Sequence, residues 1–219
     1  MIFSAFKLSL TVAAISTAVV ACAGTAAGWW LARSRFRGRE IVDALLSLPL
    51  VLPPTVTGYY LIVLLGRRGV LGGPLYELTG RSVTFTWAAC VIAAAVMAFP
   101  LMLRSARVAF EQLDERHEIA AMTLGHSRGS TFFRVVVPLA QHGLMAGVVL
   151  AFARGLGEFG ATLMLAGNIP GRTQTLPLAI YEAFISGEDG TALLLSVVLT
   201  AVSLVVMVTA GRLGRRRRT

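Results

Sequence analysis

The 219-residue sequence predicts an all-α fold: one domain over residues 1–219, built as a polytopic membrane bundle of about five transmembrane helices. Three observations lead there. Hydrophobic residues make up 56% of the chain and charged residues only 14%, whereas soluble domains carry roughly 25% charged residues. Mean hydropathy is +0.74. Apolar runs of the length that crosses a bilayer, about 20 residues each, recur five times with short connections, which excludes a large soluble catalytic domain.

The first run extends from Leu8 to Ala32 and ends at Trp29-Trp30. Ala21-Cys22-Ala23 has the small residues of a signal-peptide cleavage site, but the flank before it holds only Lys7 and the run continues into a block of arginines. That is a stop-transfer pattern, so a retained helix is expected. Gly24 and Gly28 form a small-xxx-small pair suited to close helix packing, as do Ala93, Ala94 and Ala95 in the third run. Cys22 and Cys90 both fall in apolar runs and read as small buried residues without a disulfide or metal role.

The second run, Ile41 to Leu65, carries Pro49, Pro53 and Pro54. Proline removes backbone hydrogen bonds and frees carbonyls, which repel an oxyanion, so these prolines read as a break and not as ligands. Thr55, Thr57, Tyr59 and Tyr60 are the donors nearby. Irregular backbone at membrane depth is tolerated where it is buried in protein or lines a cavity. The segment is expected to line a gate, with a static packing kink as the alternative.

The third run is Val83 to Leu103; the fourth, Leu139 to Leu165, is interrupted by Gly155, Gly157 and Gly160. Arg154 and Glu158 lie four apart in the fourth run, on one helix face. Ionisable residues inside a span are functional candidates by default. Either the two form a buried pair that fixes the helix, or they line the path. In the outer loop that follows, Pro170-Gly171 marks a turn and Pro177 a helix start, with Glu182, Glu188 and Asp189 outside. The fifth run is Gly190 to Gly211.

The net charge of +9 is explained by topology. Fourteen arginines follow spans one, three and five, among them Arg33, Arg35, Arg37, Arg39, Arg104, Arg107 and the C-terminal Arg212 and Arg215 to Arg218. The other side holds five basic residues: Lys7, Arg67, Arg68, Arg81 and Arg172. The positive-inside rule puts the N-terminus outside and the C-terminus in the cytoplasm, and nucleic-acid binding is not needed.

The longest cytoplasmic stretch, residues 104–138, holds the most specific pattern. Helix formers dominate up to Gly125, a natural C′ stop, and a second short helix is expected from Ser130 into Val137, with Pro138 opening the next span. Glu118-Ile119-Ala120-Ala121, three residues, Gly125, nine residues, Val135, one residue, then Val137-Pro138 resembles the EAA loop of permease subunits in binding-protein-dependent ABC importers. It departs by an inserted Ile119 and by valines at 135 and 137. The alternative without the resemblance is an amphipathic connector on the membrane surface. The resemblance continues in Leu48 to Tyr59, in Leu64 to Gly69, in Ala151 to Thr162 and in Asn168 to Tyr181, which look like the molybdate and sulfate branch of that family.

That resemblance implies the type I ABC importer permease fold. It implies that residues 104–138 dock on an ATP-binding subunit through Glu118, Ala120, Ala121, Gly125, His126, Ser127 and Pro138. The implied assembly is two permease copies, two ATP-binding subunits and one periplasmic or extracellular oxyanion-binding protein. The implied cargo is molybdate, with sulfate or tungstate as rivals. An ion-coupled secondary transporter would need more ionisable residues inside the bundle than Arg154 and Glu158. The chain itself has no P-loop: the only lysine is Lys7, outside any G-x-x-x-x-G-K-[ST] context. No cofactor and no metal are expected, because His117, His126 and His142 are scattered and no catalytic set occurs. The expected location is a bacterial inner membrane.

Overall fold

The computed structural model describes residues 2–215, with side chains described up to residue 209; Arg216 to Arg218 of the C-terminal basic run lie outside the described residues. Among the described residues, all regular structure is helical. Four helices are long and apolar enough to span a membrane: Ile2–Arg33 (α1), Trp87–Glu111 (α5), Arg128–Leu156 and Asp189–Thr209, the last within α11 (Asp189–Arg215). A fifth crossing exists if the broken pair Arg39–Val51 (α2) and Pro54–Leu65 (α3) is one span. Shorter helices complete the chain: Gly72–Thr79 (α4), Arg116–Thr123 (α6), Arg128–Thr131 (α7), Gly160–Ala166 (α9) and Leu176–Ile185 (α10).

Close backbone approach builds the centre, where α5 is enclosed by α1, α8 (Val137–Leu156) and α9. A Cβ on Gly24 would lie 2.7 Å from Met102 Cγ, and one on Gly28 would lie 2.9 Å from the backbone N of Arg107. The small-xxx-small pair is therefore the α1–α5 seam. Gly143 and Gly147 do the same for α8 against Ala109, Met102 and Ser105. Ala93 and Ala94 are fully buried beneath Leu61 of α3 and Ala161 of α9. Cys90 is buried among them, but Cys22 is exposed on α1, contrary to the sequence reading.

Three expected boundaries differ. The third span starts at Trp87 instead of Val83, because Thr86 caps it through its hydroxyl, which accepts from Ala89 N. Its other end runs eight residues past Leu103, to Glu111. The fourth span stops at Leu156 and resumes as the separate α9, so Gly157 and Glu158 stand in a break. At its N-terminal end this span begins as α7 and passes through a π-helical turn, Phe132–Val136, into α8. Pro138 sits in the first turn of α8, where the missing N–H is tolerated.

The second span is far from a straight helix with a kink. The axes of α2 and α3 differ by 113°. Leu52 (ψ 143) and Pro53 (ψ 136) are both extended. Each precedes a proline, and the ring of a proline clashes with a helical residue before it. Two successive prolines thus force two successive extended residues.

Candidate functional site

Residues 104–138 form a relay of short elements, each with its own stop. α5 ends at Glu111; the Asp114 carboxylate then accepts from the backbone N of Arg116, opening α6. α6 closes with Gly125 at φ +89, its N–H donating to Met122 O while the N–H of His126 donates to Ala121 O. This pair of bonds is a Schellman motif, and the left-handed φ is why glycine stands there. Ser127 caps α7, accepting from Ser130 N, and His126 Nδ1 lies 3.1 Å from Ser130 Oγ. Gly125, His126 and Ser127 therefore set the angle between α6 and α7.

The two alanines of the motif have opposite roles. Ala121 is buried toward the bundle, whereas Ala120 is exposed alongside Ile119, Met122 and Leu124. Leu124 is 82% exposed. The exposed surface of α6 thus mixes these apolar side chains with Arg116, His117 and Thr123, and its apolar part suits helix-in-groove docking. Pro138 is not on this surface; it starts the membrane helix that follows.

Glu118 points inward. Arg33, the last residue of α1, donates from Nε to Glu118 Oε1 at 2.9 Å, and its Nη2 reaches the same oxygen. Only 18% and 19% of these side chains are exposed. Arg33 also approaches Glu115, which Arg35 flanks at 3.6 Å. A cavity of about 580 Å³ lies between α1, α6 and α7. Trp29 and Phe132 meet on its wall, ring centroids 5.0 Å apart. The sequence reading gave Glu118 a free charged contact; the structure commits it to α1. Arg33 was counted only as a topological charge, and its position directly after a span was the one available signal.

The second site lies where two breaks meet. A Cβ on Gly160 would be 2.9 Å from Pro54 Cβ and 3.3 Å from Thr55 N, and one on Gly58 would be 2.9 Å from Ala161 Cα. The α2–α3 break and the α8–α9 break therefore face each other across glycines, and α3 and α9 start side by side. Glu158 is buried, and its Oε1 accepts from Ala161 N at 2.8 Å, which caps α9. Its Oε2 lies 2.6 Å from Arg154 Nη1. Glu158 is not on the helix of Arg154, as the spacing implied; it stands past the end of α8 and reaches back. Pro53, Pro54 and Thr55 are exposed at the break, and Thr57 is buried with an unpartnered hydroxyl. Pro49 is elsewhere, in a groove of about 360 Å³ with Val20 of α1 and Phe99 of α5.

No group of three His, Cys, Asp or Glu residues comes together among the described residues.

This geometry has close counterparts. The family described as "Binding-protein-dependent transport system inner membrane component" matches residues 24–219. The chain is 44% identical over 219 residues to "Molybdenum transport system permease protein ModB" of Escherichia coli (strain K12), covering 98% of this chain and 96% of the relative. It is 46% identical over 205 residues to "Putative molybdenum transport system permease protein YvgM" of Bacillus subtilis (strain 168), covering 94% and 90%. In fold it resembles a chain of a bacterial ABC transporter that imports the acidic polysaccharide alginate, with TM-score 0.77 at 15% identity, covering 98% of this chain and 79% of that one. It also resembles a chain of the inward-facing MetNI methionine ABC transporter, with TM-score 0.70 at 13% identity, covering 98% and 93%.

Proposed function

Because the chain belongs to the family of binding-protein-dependent transport system inner membrane components, we propose that it is the membrane-spanning subunit of an ATP-driven importer that carries molybdate into the cell. It is a multi-pass membrane protein and a transport subunit; ATP hydrolysis resides in a partner subunit, and a substrate-binding protein delivers the cargo. The observation that carries the substrate is the identity of 44% and 46% to molybdenum permeases over nearly the whole chain. Residues 1–219 act as one permease domain, with residues 104–138 as its coupling segment.

Two copies enclose the path, each contacted by one ATP-binding subunit, with one binding protein outside. The N-terminus faces out and the C-terminus faces the cytoplasm. α6 docks on the ATP-binding subunit through Ala120, Ile119, Met122 and Leu124. Closure of the ATP-bound partner pushes α6, and the bias comes from tighter binding of ATP to the closed state. Glu118 passes the push to α1 through Arg33. The α1–α5 glycine seam carries it into the bundle, where the facing breaks at Leu52-Pro53 and Gly157-Phe159 yield. Pro53, Pro54, Thr55 and Thr57 line the gate, and Arg154 with Glu158 holds α9 in place beside it.

Proteoliposomes holding the permease, its ATP-binding partner and the binding protein test this reading. Labelled molybdate should enter only with ATP and all three components, and excess sulfate should compete weakly. Uptake without the ATP-binding partner would sink the reading; sulfate or tungstate entering in preference would reassign the substrate. At the break, Glu158→Gln alone leaves Arg154 unpaired and should cost about 3–5 kcal/mol of stability. Arg154→Gln with Glu158→Gln should recover most of it and keep uptake, if the pair only braces α9.

A further inference from the structure

The outer end of the bundle holds a cavity of about 820 Å³ that the gate does not use. Three arginines from three separate connections line it: Arg67 after α3, Arg81 after α4 and Arg172 after α9. Among the described residues, no carboxylate lies within ion-pair distance of any of them. Arg67 is steadied by the ring of Tyr76, with its guanidinium carbon 5.0 Å from the centroid. The outer acid Glu182 is instead occupied by Asn168 and Gln174, which both donate to its Oε2.

The wall between the arginines supplies further donors. Ser82 Oγ and Thr84 Oγ1 are 2.8 Å apart. One hydroxyl donates to the other, so the pair keeps one hydrogen free for an acceptor. The loop that carries them is pinned. Phe85 has φ +59, the one non-glycine residue with positive φ among those described, and its N–H donates to Leu165 O at 3.2 Å. A bulky residue in that region is uncommon and persists only when its surroundings over-determine it. The loop is thereby fixed to the C-terminal end of α9, the helix whose other end adjoins the gate. Ile62, Phe85 and Leu165 give the cavity an apolar floor, against which the unneutralised charges act more strongly than in open water.

We propose that this cavity is a receiving site for a free tetrahedral oxyanion, which accepts hydrogen bonds from Arg67, Arg81, Arg172 and the Ser82–Thr84 pair before it enters the gate. The site is open and wide, so it concentrates the anion without trapping it, as passage requires. Its part in uptake rests on the oxyanion reading given above; its capacity to bind an anion does not.

The test is equilibrium dialysis of labelled molybdate against the full-length permease in phospholipid-free detergent micelles, with no binding protein present. Saturable binding is expected, weakened about tenfold by Arg81→Gln or Arg172→Gln, since each removes a charge-assisted hydrogen bond. Arg68→Gln, which removes the same charge beside the cavity but outside its lining, should leave binding within about twofold. Should an arginine variant fail to fold, Ser82→Ala with Thr84→Val reads the same wall without touching charge. Absence of saturable binding, or equal loss with Arg68→Gln, overturns the proposal. So does binding that survives in micelles but disappears in phospholipid nanodiscs, which assigns the site to a lipid headgroup. Unchanged anion binding with weakened docking of the binding protein assigns the arginines to an acidic protein surface instead. Molybdate bound here by a complex that transports no molybdate would leave this site standing and remove only the substrate reading.

Discussion

The two ends of the bundle treat the same residue in opposite ways. At the end that carries α6, arginines tie helices together. Arg33 joins α1 to α6, Arg39 joins α2 to Glu111 of α5, and Arg107 of α5 holds Asp43 of α2 at 3.0 Å and Glu111 at 2.9 Å. At the other end, Arg67, Arg81 and Arg172 face a cavity with no carboxylate in reach among the described residues. The positive-inside rule counts arginines by side and is blind to this difference. One set is spent on holding helices to one another. The other keeps its charge free of any carboxylate among the described residues.

Stability should respond at the end where arginines pair with carboxylates and not at the end of the arginine-lined cavity. Of the changes at these two ends, Gly28→Leu should have the largest effect, about 1–3 kcal/mol, because it overpacks the α1–α5 seam where no backbone can retreat. Thermal melting of the purified permease measures it, and an unchanged melt would mean that the seam is loose. Next is the latch between α1 and α6. Arg33→Glu and Glu118→Arg should each cut ATP-driven uptake about tenfold, and the two together should restore a large part of it. The recovered coupling should be about 1–2 kcal/mol; single variants with full uptake would remove Glu118 from the stroke.

Asp43→Asn tests redundancy. Arg107 keeps Glu111, so the cost should be about 0.5–1 kcal/mol, read from the same melt. The smallest effect belongs to the end with the arginine-lined cavity, where Arg67→Gln and Arg172→Gln should leave stability within about 0.5 kcal/mol. A larger loss there would show that these arginines also hold the fold, and would erase the difference between the two ends.

Much of the bundle was legible in the chain because its cause is local. Hydrophobic run length located the spans, Gly125 marked a stop that only a residue tolerant of positive φ can make, and Pro177 marked a helix start. Consecutive prolines announced a break in the second span, and its site follows from the restriction each proline places on the residue before it. The break in the fourth span was harder to read, because Gly155, Gly157 and Gly160 permit irregular backbone without requiring it. Pro49 was grouped with Pro53 and Pro54 by sequence proximity, yet it is tolerated within α2 and faces a different groove.

The sequence by itself determined that this chain crosses a membrane several times, where its helices stop and which segment resembles a coupling loop. Those properties depend on hydropathy, backbone preference and spacing, which neighbours in the chain set. Only the tertiary structure decided that Glu118 serves α1, that the two breaks face each other across Gly58 and Gly160, and that three arginines from distant loops share one cavity. Pairings of that kind join residues as far apart as Arg33 and Glu118, and periodicity along the chain carries no information about which of many like charges will meet.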